Sequence, residues 1–439
     1  MWALDEGREV RPLTAEDAGA WTVMMGNAYP VMDLHVREAR EAQVERIRQR
    51  LDQRLDKRLD QRLDAPAATA QWYGLFQDTT LLGGMRLHDF QMTCFETPVL
   101  VGGVGMVAVD LAHKKAHVAR DLMSFYLRHY RARGAPLAIL YPFRPDFYHA
   151  MGFGYGPKMN TYRVTPAALP AQGDRSRVRF LHDADRAAVV SLHNTIAART
   201  HGMVALAPDA APSYLARSEW RLVGWYGPDG ALRGYLAFDF ELPNRHENFV
   251  LQDLIVQELL YADREALHGL LAFLRAQRDQ ARAIVFDTLS DSFHYLLTDP
   301  RNGSERLSPH VYHESNTQGV GLMYRLLDVR RFFAALPQHR FGAASLTLRL
   351  TLRDAFLPEQ DGCLVVRFEH GAAHLEPDDA PAEVDLGLAV TEASPLLMGV
   401  VSLRSLYDLG LADVSDEREV SRLDALFRTE RPPVCLTPF

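Results

Sequence analysis

The stretch Val107-Ala108-Val109-Asp110-Leu111-Ala112-His113-Lys114-Lys115-Ala116-His117-Val118-Ala119-Arg120 carries the end of a strand, a basic loop and the start of a helix. The helix runs from about His117 to Arg133 and is closed by Gly134. N–H groups in the first turn of a helix are unpaired and carry about half a positive charge, which attracts anions. Two lysines and two histidines beside that terminus add to the attraction. The stretch therefore predicts a site for a phosphate-bearing ligand, with a solvated basic loop as the alternative.

The segments on either side of this stretch predict a domain that mixes helices and strands. Strands are expected at 8–14, 71–77, 81–90, 99–109, 137–140 and 159–164, and helices at 15–29, 117–133 and 145–151. A linker containing proline and glycine follows at 165–177. The order then recurs, with strands at 178–180, 222–226, 232–240, 248–259 and 283–286 and helices at 184–200 and 265–280. This recurrence predicts a second copy of the same architecture.

From Met323 onward the pattern indicates a third domain. Residues 345–353, SLTLRLTLR, place leucines on one face and polar residues on the other, which predicts a half-buried antiparallel strand. Residues 363–369 alternate in the same way after a turn, so the two segments predict a hairpin. Helices are predicted at 328–336, 402–410 and 418–428. Residues 431–439, RPPVCLTPF, are apolar and rich in proline, which predicts an extended tail that docks on the protein.

A repetitive charged segment, RLDQRLDKRLDQRLD, occupies residues 50–64. Its four-residue repeat places Leu51, Leu55, Leu59 and Leu63 on one stripe of a helix, with Asp and Arg in i,i+4 pairs around it. Two interpretations remain open. The helix either binds a partner, or is a charged surface helix that lies over the domain or forms its oligomer contact.

Length and composition narrow the classes of function. A chain of 439 residues, at roughly 150 residues per domain, predicts about three domains. Its net charge of −8 argues against a dedicated nucleic-acid-binding protein, which has a basic surplus. The longest apolar stretch, at 99–109, is shorter than the roughly 18–20 residues of a membrane span, and no signal peptide is visible. Cys94, Cys363 and Cys435 fit no metal spacing and cannot all pair, so a reducing cytoplasmic location is predicted.

Other motifs bear on the chemistry of the chain. His113 and His117 have i,i+4 spacing, but no glutamate follows the first histidine and no third ligand is evident, so no metal is expected. The glycines at 102, 103 and 105 do not make a dinucleotide-binding fingerprint. Residues 147–156, FYHAMGFGYG, combine aromatic side chains with glycines that permit tight turns. On its own, a tyrosine in this segment is better explained by core packing.

Together, the strand, basic loop, helix, short strand and F-Y-x-x-x-G-F segment resemble the GNAT (GCN5-related) acetyltransferases. That family places the acetyl-CoA pyrophosphate on a loop of pattern [Q/R]-x-x-G-x-[G/A], matched here by Lys114–Ala119. The match departs from the pattern at Lys114, which opens it, and at His117, which replaces a glycine. Glycine lets backbone N–H groups approach a pyrophosphate closely, so His117 is the more consequential departure.

The whole chain resembles the enhanced intracellular survival (Eis) family of N-acetyltransferases. The C-terminal cues are 321–329 (GLMYRLLDV), the alternating hairpin, 402–410 and the final Pro-Pro…Phe. The resemblance implies an α+β chain of two GNAT folds followed by a domain like a sterol carrier protein. Its expected domains are 1–164, with an inserted charged helix at 34–64, then a degenerate copy at 165–318, and the C-terminal domain at 319–439.

The resemblance also implies the reaction and the site. The expected activity is transfer of acetyl from acetyl-CoA to primary amines of a multi-amine small molecule, of aminoglycoside or polyamine type. Tyr148 is the implied general acid and the α-carboxylate of Phe439 the implied general base. Cofactor contacts are expected at Val107, Ala108, Val109, Lys114, Lys115, Ala116, His117, Val118, Ala119, Arg120, Phe143 and Arg144.

The expected partners are the amine acceptor and further copies of the chain, a hexamer by family resemblance, with no nucleic acid and no membrane. Asp33, Asp89 and Glu96 are candidate carboxylates for an acidic acceptor cavity. The alternative from another class is a binding protein, in which the change at His117 has removed the acetyl-CoA site and the leucine-faced C-terminal domain holds an apolar ligand. A third possibility is acetylation of protein lysines.

Overall fold

The computed structural model describes residues 2–3, 7–32, 34, 36–60, 70–207, 220–241, 252–437 and 439. In chain order its strands are β1 (Trp2–Ala3), β2 (Arg8–Pro12), β3 (Ala70–Gln77), β4 (Thr80–Cys94), β5 (Thr97–Val109), β6 (Leu137–Leu140), β7 (Gly154–Tyr155), β8 (Lys158–Val164), β9 (Val178–Phe180), β10 (Arg221–Tyr226), β11 (Leu232–Glu241), β12 (Gln252–Tyr261), β13 (Ala281–Thr288), β14 (Asn316–Val320), β15 (Met323–Leu326), β16 (Leu346–Arg353), β17 (Gly362–Glu369), β18 (Ala372–Leu375), β19 (Val384–Ala389) and β20 (Ala412–Val414). Its α-helices are α1 (Ala18–Ala28), α2 (Arg37–Asp60), α3 (Val118–Ala132), α4 (Pro145–His149), α5 (Arg186–Ala197), α6 (Arg264–Arg275), α7 (Val329–Ala334), α8 (Val390–Leu397), α9 (Leu403–Asp408) and α10 (Val420–Phe427). None of the helices described is long and apolar enough to cross a membrane.

The chain forms two compact units. The first consists of 1–155, 322–431 and 438–439, and the second of 156–321 and 432–437. Each unit has its own sheet of the type predicted for a GNAT copy, and the first also contains the five-stranded sheet of the C-terminal domain.

The first sheet contains β5, the strand that leads into the basic loop. Its order is β1-β2-β3-β4-β5-β6-β15-β7, and β5 and β6 are its one parallel pair among the described strands. That pairing ends where Val104 lies opposite Leu140, so residues 105–109 extend past it. The helix α3 packs its apolar stripe on this sheet, and its Tyr126 hydroxyl donates to the carbonyls of Gly102 and Ile139. These bonds fix the helix over the seam between β5 and β6.

Two strands lie in sheets other than those expected. The pattern at 159–164 correctly predicts a strand, but it does not complete the N-terminal sheet, because β8 pairs with β13 and β14 in the second unit. The pattern beginning at Met323 was assigned to the C-terminal domain, yet β15 lies between β6 and β7 of the first sheet. Both corrections have one physical reason: apolar patterning identifies a strand but not its partner.

The second unit repeats the architecture of the first. Its sheet has the order β14-β8-β13-β12-β11-β10-β9 and one parallel pair among the described strands, β12 and β13. The segment 227–230 closes the β10–β11 hairpin, where the Gly227 N–H donates to the Ala231 carbonyl. The helix α6 buries leucines against this sheet, as α3 does in the first unit.

The C-terminal domain is built on the predicted hairpin. In β16, Leu346, Leu348, Leu350 and Leu352 are all buried, and the strand pairs antiparallel with β17. The helices predicted at 328–336, 402–410 and 418–428 appear as α7, α9 and α10. The charged segment at 50–64 continues a helix that already begins at Arg37, and Leu51 in it is buried. The side chains of Leu55 and Leu59, and all of Leu63, lie outside the described residues.

A buried ion pair joins the first sheet to the C-terminal domain within the first unit. The Arg325 guanidinium of β15 donates to the Asp354 carboxylate at 2.6 Å, and neither side chain is more than 1% exposed. The other Asp354 oxygen accepts the N–H groups of Phe356 and Leu357. Gly152 makes room for the arginine, since a β-carbon there would lie 1.4 Å from Arg325 Nη1.

We expect Gly152→Ala to destabilise the first unit by about 3–5 kcal/mol, the usual cost of disrupting a buried ion pair. Gly152 also has φ +84°, a conformation that an alanine adopts only with strain. Urea unfolding followed by circular dichroism measures the effect. Gly19→Ala in α1 is the matched control, because nothing lies within 4 Å of its added methyl group. Overlapping unfolding curves for Gly152→Ala and the wild type would contradict this packing.

Candidate active site

The candidate site lies at the carboxyl end of β5, where its pairing with β6 has stopped. Ligands of open sheets with parallel strands bind outside the carboxyl ends of those strands. A bulge marks the place: Arg86 of β4 lies opposite Gly105 and Gly84 opposite Ala108, so β5 carries one extra residue in between. Met106 within it has φ +52°. Because bulges bend a strand, the end of β5 is directed away from the regular ladder.

The basic loop reaches the first turn of α3 through two residues with left-handed backbone. Lys115 has φ +69° and His117, the residue that precedes α3, has φ +59°. His117 therefore adopts a conformation that glycine, the residue of the family pattern, adopts without strain. Its side chain makes no capping hydrogen bond, so it leaves the leading N–H groups of the helix uncovered. Arg8 of β2 fixes the loop by donating to the Ala116 carbonyl at 3.0 Å.

The remaining predicted contacts line the same end of the sheet. Ala108 and Val118 are buried, whereas Lys114, Lys115, His117 and Arg120 are exposed. Phe143, just after β6, is 64% exposed. The Arg144 guanidinium pairs with Asp146 at 2.5 Å, which partly neutralises its charge. The structure thus brings together the end of β5, the basic loop, the start of α3 and the segment after β6. The other predicted contacts, Val107, Val109, Ala116 and Ala119, are partly buried in these elements.

The corresponding helix of the second unit is closed to an anion. The helix α6 is preceded by Asp263, whose carboxylate accepts the N–H of Ala266 at 2.9 Å. A carboxylate therefore occupies the position that His117 has in the first unit, and it repels a phosphate.

Tyr148 lies in the short helix α4 and is only 3% exposed. Its ring contacts Phe143, Phe147 and Phe153, with centroids 5.2–6.2 Å away. Burial, with a smaller contribution from the Tyr29 phenol, raises the pKa of Tyr148 above that of a free phenol. The Tyr29 hydroxyl itself donates to the Val107 carbonyl at 3.0 Å. Tyr148 is therefore a protonated phenol, able to donate a hydrogen bond or a proton, in the apolar cluster against which Val107 and Val109 of β5 pack.

The C-terminal residue, Phe439, lies over the same strand. Its ring packs against Phe90, Tyr141 and His88, with centroid separations of 4.8, 5.1 and 5.5 Å. Its carboxyl group lies on Gly105, where an added β-carbon would be 3.1 Å from the carboxyl carbon and from one oxygen. The preceding tail is also docked, as predicted, since the Val434 N–H donates to the His201 carbonyl within the second unit.

Two of the three predicted carboxylates, Asp89 and Glu96, do not form an acidic lining at the candidate site. The Asp89 carboxylate accepts from Arg133 at 2.5 Å and from Tyr130 at 2.8 Å, so it is already satisfied. Side chains alternate along a strand, so Asp89 points away from the face of His88 and Phe90. Glu96 is exposed in the turn that precedes β5, at the end opposite Gly105. The third candidate, Asp33, lies outside the described residues.

Sequence reasoning missed the strand residues that receive the C-terminus. The glycines of β5 make room for rings and a carboxylate. A β-carbon at Gly103 would lie 2.3 Å from the Phe90 ring, and Gly105 receives Phe439. Glycines within a valine-rich strand indicate such close approach, and this signal could have been used to find the site. His88 had no comparable signal.

Thiols and potential metal ligands are the other reactive groups of the chain. Within the described part of the chain, no group of three or more His, Cys, Asp or Glu side chains could hold a metal ion. Cys94 is fully buried and burial raises its pKa to about 12, so it is no nucleophile near neutral pH. Cys363 is exposed and Cys435 buried, and neither is in a disulfide.

Comparison with known proteins identifies each domain. Residues 9–156 and 206–326 match models of the acetyltransferase (GNAT) domain, and 329–436 match the sterol carrier protein domain. Two curated relatives from Streptomyces griseus, an "uncharacterized N-acetyltransferase" and an "uncharacterized N-acetyltransferase ORF5", are each 27% identical over 384 residues. Each alignment covers 82% of this chain and 84% of the relative.

Solved structures share the fold over nearly the whole chain. A GCN5-related N-acetyltransferase from Kribbella flavida is 20% identical with a TM-score of 0.74, covering 98% of both chains. One from Anabaena variabilis is 14% identical with a TM-score of 0.76, covering 98% of this chain and all of its own. Eis1 from Mycobacterium abscessus is 18% identical with a TM-score of 0.72, and the match covers 98% of this chain and 100% of Eis1. These likenesses extend to the fold alone.

The predicted fold, two GNAT domains followed by a sterol-carrier-like domain, is confirmed by the domain matches and by the sheets. The two matched GNAT segments carry the acyltransferase assignment, which the names of the Streptomyces relatives support. The chain belongs to the GNAT family of N-acetyltransferases.

Proposed function

We propose that the first GNAT domain transfers acetyl from acetyl-CoA to a primary amine, with the Phe439 carboxylate as general base and Tyr148 as general acid. The observation that carries the proposal is the Phe439 carboxylate on Gly105, beyond the end of the β5–β6 pairing. The buried Tyr148 supports it, since Tyr148 belongs to the apolar cluster against which Val107 and Val109 of β5 pack. A base and an acid on either side of a reacting thioester are what amine acetylation requires.

The basic loop fits the phosphates of acetyl-CoA, which would supply an activated acetyl group as a thioester. The first turn of α3 leaves its N–H groups uncovered, and Lys114 and Lys115 extend into solvent beside it. The left-handed backbone at His117 retains the loop shape for which the family uses glycine. The side chain of His117 adds a further nitrogen donor on the exposed side.

The two proposed catalytic groups divide the proton movements. The Phe439 carboxylate accepts a proton from the amine, so that the nitrogen lone pair is free to form the bond to the acetyl carbon. Tyr148 donates to the sulfur as the carbon–sulfur bond breaks. A free terminal carboxylate has a pKa of roughly 3.3–3.7, which makes it a weak base in water. Enclosure by the rings of Phe90 and Tyr141 favours proton acceptance, because low polarity disfavours the charged form.

The proposed acceptor is a small molecule with several amines, of polyamine or aminoglycoside type, as the Eis resemblance implies. The carboxylate of Phe439 suits a cationic amine in electrostatic terms. A panel of monoamines, polyamines and aminoglycosides, assayed by release of free thiol, tests the class. Equal turnover of simple monoamines would contradict a preference for multi-amine acceptors. The proposed assembly, a homo-oligomer, is tested by light scattering.

Acetyl-CoA is expected to bind with one molecule per chain, since the second GNAT copy presents Asp263 instead of a basic loop. Isothermal titration measures the stoichiometry. Lys114→Glu combined with Lys115→Glu should weaken binding at least tenfold, about 1.4 kcal/mol or more. Lys158→Glu, at another exposed lysine, serves as the control.

The same titration shows whether the histidine at position 117, where the family has glycine, abolishes acetyl-CoA binding. Binding to His117→Gly but not to the wild type would overturn the cofactor proposal and favour the binding-protein alternative. Two molecules per chain would contradict the interpretation of Asp263.

A further inference from the structure

His88 and the C-terminal carboxylate face the same space above β5. A β-carbon built at Gly105 would lie 3.1 Å from an oxygen of the Phe439 carboxyl group and 3.7 Å from His88 Nε2. The imidazole and phenyl rings are in edge contact, with centroids 5.5 Å apart. The ring nitrogen and the carboxylate thus flank one glycine.

The imidazole is held in this position. His88 is 6% exposed, and its ring stacks on that of Phe90 at a centroid distance of 5.2 Å and an angle of 15°. Phe90 in turn packs against the Phe439 ring at 4.8 Å. One phenylalanine therefore fixes both the imidazole and the residue that carries the carboxylate.

Several described elements pack around His88. On the neighbouring strands, Ala70 of β3 and Gly103 of β5 lie opposite it and carry no charge. On its own strand, Arg86 lies two residues before it on the same face and contacts the Trp72 ring. The Tyr141 ring contacts the Phe439 ring. Of these described residues, Phe439 is the one that carries an anion.

We propose that His88 is a positioning residue for the Phe439 carboxylate and sets the pH range in which that carboxylate accepts a proton. The inference rests on the proposed function. A neutral imidazole donates one hydrogen bond through its protonated nitrogen and orients the carboxylate towards the amine. An imidazolium instead forms an ion pair with the carboxylate, and the positive charge disfavours acceptance of the amine proton.

The proton balance is simple. One proton leaves the ammonium nitrogen for the carboxylate oxygen, and the freed lone pair forms the bond to the acetyl carbon. The carbon–sulfur bond breaks as Tyr148 gives its proton to the sulfur, and the second proton lost by the nitrogen returns Tyr148 to its phenol form. The imidazole neither gains nor loses a proton in this step. Histidine changes its charge between pH 5 and 8, so the effect falls in the range where an acetyltransferase is assayed.

The test compares kcat/KM across pH for the full-length wild type, His88→Gln and His88→Phe with one amine. Because the amine is the same, its own titration is common to all three profiles. We expect an inflection between pH 5 and 8 in the wild type that His88→Gln lacks, since glutamine donates a hydrogen bond but does not titrate. His88→Gln should retain activity within about tenfold at high pH. His88→Phe should lose on the order of 10–100-fold in kcat at high pH, where the wild-type imidazole is neutral, with KM for acetyl-CoA unchanged.

An inflection retained in His88→Gln, or wild-type turnover in His88→Phe, would overturn the proposal. A second measurement does not depend on activity. Labelling with [1-13C]phenylalanine marks the carbonyl carbon of all 21 phenylalanines, and in the chain as given the last of them ends in a carboxylate. Its NMR shift should follow a titration between pH 5 and 8 in the wild type and not in His88→Gln.

The two measurements separate this inference from the proposed function. If the carboxylate signal responds to His88 but the protein acetylates no amine, the positioning holds and the proposed reaction fails. If amines are acetylated but the signal does not respond in the wild type, the inference about His88 is wrong.

Discussion

A chain extended by two alanines beyond Phe439 is expected to turn over at least about 100-fold more slowly than the wild type. The extension converts the carboxylate on Gly105 into an uncharged amide and moves the new terminus by up to about 7 Å. An amide cannot take a proton from an ammonium group, so kcat falls. Binding of acetyl-CoA at the loop before α3 should change little. Thiol release measures turnover, and isothermal titration measures binding.

Two controls distinguish the effect of losing the terminal charge from the effect of disturbing the packing of Phe439. Two alanines added before Met1 lengthen the chain equally without touching Phe439. Phe439→Ala keeps a terminal carboxylate but removes the ring that packs on Phe90 and Tyr141, so it should show a smaller loss than the extension. An extended chain that acetylates amines at the wild-type rate shows that the base lies elsewhere.

Tyr148→Phe is expected to lower kcat by about 10²–10⁴-fold, the usual contribution of a general acid. The substitution removes only the hydroxyl, and the ring keeps its contacts with Phe143, Phe147 and Phe153. The raised pKa of the Tyr148 phenol keeps it protonated throughout the neutral range, so the wild type always has a donor for the leaving sulfur. Acetyl-CoA affinity should stay within about threefold, a difference below 1 kcal/mol.

Tyr155→Phe is the matched control for this variant. Tyr155 lies in the same segment, but it is 42% exposed and stacks on His149 instead of entering the core. It should leave both kcat and the unfolding curve unchanged. Equal turnover by Tyr148→Phe and the wild type would show that Tyr148 is not the general acid.

Local sequence patterns predicted most elements of the fold and the β16–β17 hairpin, but not the pairing of strands that are distant in the chain. The predicted bounds of the strand at 137–140 and of the helix that follows the basic loop agree with β6 and α3 to within one residue. Alternation and helical periodicity are properties of a single segment, so the sequence shows them directly. The exchanged strands β8 and β15 were assigned to the wrong sheets. Their apolar faces are compatible with either sheet, and the choice depends on residues far away in the chain.

The same limit applies to the site. The basic loop is contiguous, so its charge and its place before a helix are readable from the sequence. The neighbours of Phe439 cannot be read from the sequence, because His88 and Gly105 are more than 300 residues from it along the chain. The left-handed backbone at His117 was also unforeseen. Residues other than glycine adopt it uncommonly, although histidine does so more often than most, and here the arrangement of the loop outweighs the local preference.

The position of β15 between β6 and β7 constrains how the protein is made. A ribosome must add about 170 residues after Tyr155 before the central strand of this trio emerges, which takes roughly 10–30 s at usual rates of synthesis. Until then, nascent chains leave the edges of β6 and β7 open to foreign strands. We therefore expect chaperones to capture the nascent chain during this interval. We also expect fragments that stop near residue 160 not to accumulate in cells.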